Sequence, residues 1–412
     1  MDPDPRPGTD WRRVAALVFA IAWGGNEFTP LLVMYREVGD YSALTVNVLL
    51  GAYVLGIIPA LLIGGPLSDR FGRRRLLVPA APIGIVGSLI LAAGPSSVAM
   101  LSAGRVLSGV ALGLAMAVGT TWITELSGAG TGARRASLAL TLGFLIGAGI
   151  AGALAQWGPW RTALPYLLHA VVTAVTWVLV RRVPETHPRA TVPGRLRDDL
   201  RIPTLGHRRF WWVVVPLAPW VFGAVGSAYA VLPGLMREHS GGMPVAFSAL
   251  LTVITLGCGF GIQSVGRAID TRHSARASVL ALVLIVVGLS LAAWAASTLS
   301  LPIVVVAAAV LGCGYGIALV AGLSEVQRIA GPDDLAGLTA VYYSLAYTGF
   351  FVPALLSWLS GRWAYPVMFG GGVVLAVVAL VVVACGWRAH LPTGASSPAL
   401  QEVAQPGDKA AV

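Results

Sequence analysis

The sequence predicts an all-α membrane protein with twelve transmembrane helices arranged as two pseudo-symmetric six-helix halves. Three observations predict it. Hydrophobic residues make up 56% of the 412 positions and charged residues 11%, too few to clothe a water-soluble globule. Apolar runs long enough to cross a hydrocarbon layer alternate with short clusters of charge and turn residues. Marks in the first half of the chain recur in the second at nearly the same separations.

In order, the apolar runs are Val14 to Tyr35, Ala43 to Gly64, Leu76 to Ala93, Ala99 to Thr124, Ser137 to Trp157 and Leu164 to Val180. The second set is Trp211 to Met236, Ala246 to Val265, Ala277 to Ala296, Ile303 to Leu323, Leu338 to Leu359 and Tyr365 to Gly386. The first run follows Arg12-Arg13, as a secretory signal would. It continues past Glu27 to Tyr35 without a small-residue cleavage pattern, so it reads as a retained helix.

Arginines sort the loops. One face takes Arg6, Arg12, Arg13, Arg70, Arg73 to Arg75, Arg134, Arg135, Arg267, Arg272, Arg276, Arg328, Arg388, Lys409 and the central group, whereas the other has only Arg36, Arg161, Arg237 and Arg362. This places both termini and the central segment in the cytoplasm of a multi-pass plasma (inner) membrane protein. The net charge of +10 is explained by that bias and points to anionic lipid headgroups of the bilayer, not to nucleic acid. The expected units are a cytoplasmic N-terminus (1–13), a first bundle (14–180), a polar Arg- and Pro-rich linker (181–209), a second bundle (210–387) and a disordered tail (388–412).

The repeat is read from spacing. Gly65 and Asp69 are four apart, as are Gly266 and Asp270; Glu125 follows Asp69 by 56 residues and Glu325 follows Asp270 by 55. Gly143-Phe144 with Trp157 recurs as Gly349-Phe350 with Trp363 at the same separation. Two repeated bundles put a substrate cavity between them near the midplane.

Within the helices the chemistry-bearing residues are few. Asn26-Glu27 lies inside the first run, where a carboxylate is costly unless paired, protonated or facing water, so Glu27 is either a functional site or a structural hydrogen-bonding group. Arg105-x-x-x-Gly109-x-x-x-Gly113 sets an arginine at the head of a small-residue face; the alternative is a side chain snorkelling to the outer interface. His169 has no visible partner and reads as a structural donor before a proton relay. The second half carries no ionisable group in mid-helix, but gathers Trp220, Phe222 and Tyr229 in the seventh helix and Tyr342, Tyr343, Tyr347, Phe350 and Phe351 in the eleventh. Tyr343, Tyr347 and Phe350 share one face, either lining a cavity or anchoring at the interface. Asp333 and Asp334, after Gly331-Pro332, are expected to cap the eleventh helix. Cys258, Cys313 and Cys385 all fall inside helices and offer no disulfide framework. No nucleotide-binding loop, metal cluster or nucleophile–base pair is visible, so no cofactor, no metal and no enzymatic activity are expected.

The turn between the second and third runs, Gly65-Pro66-Leu67-Ser68-Asp69-Arg70-Phe71-Gly72-Arg73-Arg74, resembles the signature of the major facilitator superfamily at that place. The resemblance implies that Asp69 and Arg73 form a charge cluster with Glu125 that clamps one side of the protein closed. It marks Gly266, Asp270 and Glu325 as a degraded second copy. It likens Arg105 to a fourth-helix arginine associated with proton coupling, with Glu27 as the proton site. Asn26, Trp220, Tyr229, Tyr343, Tyr347 and Phe350 are then the candidate substrate-cavity residues. The antiporter pattern of the fifth helix, Gly-Pro followed by two glycines, is not met: Gly147-Ala148-Gly149-Ile150-Ala151-Gly152 lacks the proline.

The resemblance implies a monomeric secondary transporter, with a small hydrophobic or drug-like molecule and protons as partners and efflux as the favoured direction. Proton-coupled uptake of a metabolite, or a non-transporting receptor on the same fold, are the alternatives. One lysine against twenty-seven arginines suggests a GC-rich bacterial coding sequence.

Overall fold

The computed structural model describes residues 9–128, 131–187, 202–271, 273–331, 334–389 and 391. Arg6, Arg272, Asp333 and Lys409 lie outside them, as do residues 188–201 of the expected linker and most of the expected tail. Eleven described helices are long and apolar enough to cross a membrane: α1 Asp10–Val38, α2 Ala43–Phe71, α3 Arg73–Ala93, α4 Val98–Glu125, α5 Gly132–Trp157, α7 Phe210–Leu235, α8 Pro244–Ile269, α9 Arg276–Thr298, α10 Leu301–Ile329, α11 Leu335–Leu359 and α12 Tyr365–Cys385. A shorter apolar helix, Leu164–Val180, is α6 and matches the expected run. The expected boundaries stop early where charge begins. Helix α10 was expected to end at Leu323 but runs to Ile329, because Glu325 and Arg328 are paired inside the protein and need no water.

Prolines and wide turns interrupt the innermost helices. Pro30 cannot donate to the Asn26 carbonyl, so α1 ends one segment at Asn26, passes through a tight turn at Thr29–Leu31 and resumes at Leu32. Helix α2 breaks at Tyr53, whose amide bonds the Gly51 carbonyl in place of the regular Leu49 partner. Helix α7 widens into π turns at Phe210–Val214 and Ser227–Val231, and α11 tightens at Thr348–Phe351.

The repeat is visible in the packing. Helix α1 packs on α5 and α7 on α11; α2 on α4 and α8 on α10; α3 on α4 and α6, as α9 packs on α10 and α12. The paired glycines sit at these contacts. A Cβ on Gly143 would lie 2.4 Å from the Phe19 carbonyl oxygen of α1, and one on Gly349 would lie 2.3 Å from the Pro219 carbonyl oxygen of α7. Only glycine allows either approach. Their companions Trp157 and Trp363 are both exposed at the ends of the helical runs, as interfacial tryptophans should be.

The two halves meet along α2 with α11 and α5 with α8. Asn47 donates to Ser357 Oγ at 2.7 Å, and Gln156 Oε1 accepts from the amides of Val245 (3.2 Å) and Ala246 (3.1 Å). The three cysteines are free.

Candidate functional site

Three groups of polar residues stand out. The first is buried in the first half. Glu27, placed at the break in α1, is wholly enclosed. Its Oε1 lies 3.4 Å from Ser88 Oγ of α3 and 3.6 Å from His169 Nδ1 of α6. Ser88 Oγ is 2.6 Å from His169 Nδ1, and His169 Nε2 is 2.9 Å from the Ala20 carbonyl and 3.0 Å from Thr173 Oγ1. The Ala20 carbonyl can only accept, so Nε2 carries a proton. Nδ1 then accepts from the Ser88 hydroxyl when His169 is neutral, and a protonated Glu27 completes the row by donating to Ser88. Shifting both protons one place gives a carboxylate accepting from Ser88 and an imidazolium donating to it. The same heavy atoms serve both arrangements. Thus His169 is not isolated: its partners come from other helices, and Ser88 is a residue the sequence reading missed.

Arg105 is close by but does not close on Glu27. It is fully buried, which removes the snorkelling alternative. Its guanidinium is 3.4 Å from the carbonyls of both Leu49 and Leu50 and 3.5 Å from that of Gly25, two residues before Glu27. Its Cζ lies over the rings of Phe28 (4.7 Å) and Tyr53 (4.5 Å). The break at Tyr53 frees the Leu49 carbonyl, and this is why the arginine settles there. Among the described residues no carboxylate is within ion-pairing distance of Arg105, which meets α1 at the Gly25 carbonyl and the Phe28 ring, on either side of Glu27.

The second group lies on the seam between halves. Tyr53 of α2 meets Tyr347 (5.9 Å) and Phe350 (5.3 Å) of α11 edge-on, and Phe222 of α7 stacks on both at 4.3 and 4.8 Å. Tyr229, carried by the second π turn of α7, tilts against Phe350, and Tyr315 of α10 against Phe222. Tyr347 also donates to Met116 Sδ of α4 at 3.2 Å. The expected cavity residues Tyr229, Tyr347 and Phe350 are therefore together and buried. Trp220 and Tyr343 are not in this stack; Phe222 takes the place expected of Trp220, and Tyr343 leans on Tyr342. Asn26 is tied into the bundle, donating to the Phe144 carbonyl (3.3 Å) and accepting from Thr29 (2.7 Å).

The third group sits at the ends of α2, α4, α8 and α10. Arg73 pairs with Asp69 and, at 2.9 Å, with Glu125, the grouping the resemblance implies. Glu185, from the segment after α6, accepts from the amides of Arg73 (2.8 Å) and Arg74 (3.0 Å). In the second half Arg328 bridges Asp270 (3.1 Å) and Glu325, and Arg209 grips Glu325 with two nitrogens, one at 2.8 Å. Arg209, expected in a solvated linker, is wholly buried, and it also donates to the Ala389 carbonyl at 2.8 Å. Gly266 packs on Ile317 of α10 below this cluster. Asp334 departs from its expected role. Its carboxylate makes no bond to its own helix and accepts from the amide (3.2 Å) and hydroxyl of Thr204, tying the chain entering α7 to α11.

Comparison with known proteins adds the following. The family model described as Major Facilitator Superfamily matches residues 14–352. A chloramphenicol resistance protein of Pseudomonas aeruginosa is 26% identical over 84% of this chain and 83% of its own. A glucose transporter, GlcP, of Staphylococcus epidermidis is 29% identical, over 42% of this chain and only 38% of its own length. Among solved structures, a peptide transporter POT in complex with sulfate superimposes with a TM-score of 0.75 over 93% of this chain and 96% of its own, at 14% identity.

Proposed function

The chain belongs to the major facilitator superfamily, a family of transporters and not of enzymes, and from that premise we propose that it is a proton-coupled exporter of a small, hydrophobic, drug-like molecule. The observation that carries the proposal is the Glu27–Ser88–His169 row. A carboxyl, a hydroxyl and an imidazole brought together from α1, α3 and α6 inside the bundle can hold and pass a proton without moving a heavy atom. Arg105, which reaches the Gly25 carbonyl of α1 and is seated on Tyr53 of the seam, links that row to the aromatic layer where the halves meet. Substrate entering between Tyr53, Phe222, Tyr347 and Phe350 would part the layer, shift Arg105 and so change the field at Glu27. The protein works as a monomer in the plasma membrane, its termini cytoplasmic, with Asp69, Arg73 and Glu125 holding the cytoplasmic side closed in the outward state. The likeness to a chloramphenicol resistance protein over most of both chains supports export. The absent proline of the fifth helix favours the second reading, proton-coupled uptake of a metabolite.

Inverted membrane vesicles, supplied with chloramphenicol, cationic dyes, sugars or amino acids with and without a pH gradient, test the proposal. Glu27→Gln is expected to abolish gradient-driven accumulation while sparing substrate exchange, and His169→Gln to slow it. Wild-type accumulation by Glu27→Gln places the coupling elsewhere and overturns the reading.

A further inference from the structure

A second cavity opens on the face opposite the charge clusters. Its volume is about 400 Å³, within the range of small-molecule sites, and helices α1, α2, α7 and α12, with Ser360 just after α11, contribute to its wall. Its ionisable lining is Arg36, Arg237, Glu238, His239 and Tyr365. Only four arginines are assigned to this face, and two of them line this one space. Arg161 on the same face is answered by Glu37 at 3.4 Å, whereas among the described residues no carboxylate comes within ion-pairing distance of Arg36 or Arg237. Glu238 is exposed and solvated.

Two half-buried guanidinium groups face one cavity whose only carboxylate among the described residues, Glu238, is exposed and pairs with neither, so an anion joining them gains from both charges, and their fork geometry matches a carboxylate, sulfonate or phosphate. Leu32, Val33, Val46 and Val231 give the lining an aliphatic stretch beside the polar Asn47 and Ser360. We propose that this vestibule is a binding site for an organic oxyanion, held between Arg36 and Arg237 with its apolar body against α1, α2 and α7. Site and ligand class are independent of the direction of transport and of the Glu27 row.

The test uses the full-length protein in phosphatidylcholine nanodiscs with two probes of one apolar body and opposite charge, naphthalene-1-sulfonate and 1-naphthylmethylammonium. The sulfonate is expected to raise the melting temperature saturably and the ammonium to leave it unchanged. Arg36→Gln with Arg237→Gln is expected to weaken sulfonate binding at least about tenfold, while Arg161→Gln leaves it intact. A readout on the unmutated protein stands beside it: labelling of Arg36 and Arg237 by phenylglyoxal, followed by mass spectrometry, is slowed by the sulfonate and not by the ammonium. Competition by phosphatidylglycerol identifies the natural oxyanion as a lipid headgroup; no competition identifies a solute. Equal effects of the two probes, unchanged affinity in the double variant, or labelling that the sulfonate does not slow would each overturn the site. Binding is read without a gradient, so loss of transport alone leaves this inference standing, and loss of binding alone leaves the exporter reading standing.

Discussion

The two charge clusters at the ends of the even-numbered helices share a plan and differ in water. In the first half Asp69 is 55% exposed and Glu125 28% exposed, so solvent screens their contacts with Arg73. In the second half the side chains of Arg209 and Glu325 are 0% and 1% exposed. A solvated pair separates at little cost, because water replaces each partner. A dry pair cannot part without stranding a charge. The difference suits the first cluster to the moving role proposed for it and the second to holding the bundle together.

The comparison can be broken by substitution. Glu325→Gln leaves Arg209 and Arg328 facing a neutral amide in a dry site and is expected to cost about 3–5 kcal/mol, read as a large fall in melting temperature in detergent. Replacing the pair together, Arg209→Met with Glu325→Leu, is expected to recover much of that loss. Glu185→Gln weakens the acceptor of two amides at the partly exposed first cluster, and a loss of about 1 kcal/mol should appear in the same assay. Asp334→Ala, which frees Thr204, is expected to cost a similar or smaller amount. The smallest stability effect, under about 1 kcal/mol, belongs to Asp69→Asn. Yet that variant should lose most of its transport in vesicles. Equal melting shifts for Asp69→Asn and Glu325→Gln would erase the distinction between the clusters.

The membrane crossings were legible because hydrocarbon leaves a long, unmistakable imprint on composition, and the repeat was legible because Gly143 and Gly349 answer the same steric demand. Asp69, Arg73 and Glu125 could be grouped from the resemblance. Glu27 was found for being a carboxylate where none should be. What spacing could not give was partnership across the fold: Ser88 lies 61 residues from Glu27, and His169 a further 81. Nor does sequence distinguish an aromatic ring that faces the seam from one that faces lipid, so Tyr53 and Tyr315 go unremarked and Phe222, though noted, is passed over for the cavity set in favour of Trp220 and Tyr343. Arg209 was assigned to solvent because its neighbours are polar. Its position directly before the apolar Phe210 was the available signal that it enters the bundle.

The connection between the halves is fastened at each end to a different partner. Among the described residues, Glu185 and Thr186 bind only groups before residue 188, whereas Thr204 and Arg209 bind only groups after residue 201. None of these bonds reaches from one side of the connection to the other. Two polypeptides cut between residues 187 and 202 and made in the same cell are expected to keep these fastenings and to meet again along α2 with α11 and α5 with α8, which co-expression of the fragments and a transport assay would check. A working pair of fragments would show that the covalent link contributes stoichiometry and timing of synthesis, while recognition between the halves is written on their facing surfaces.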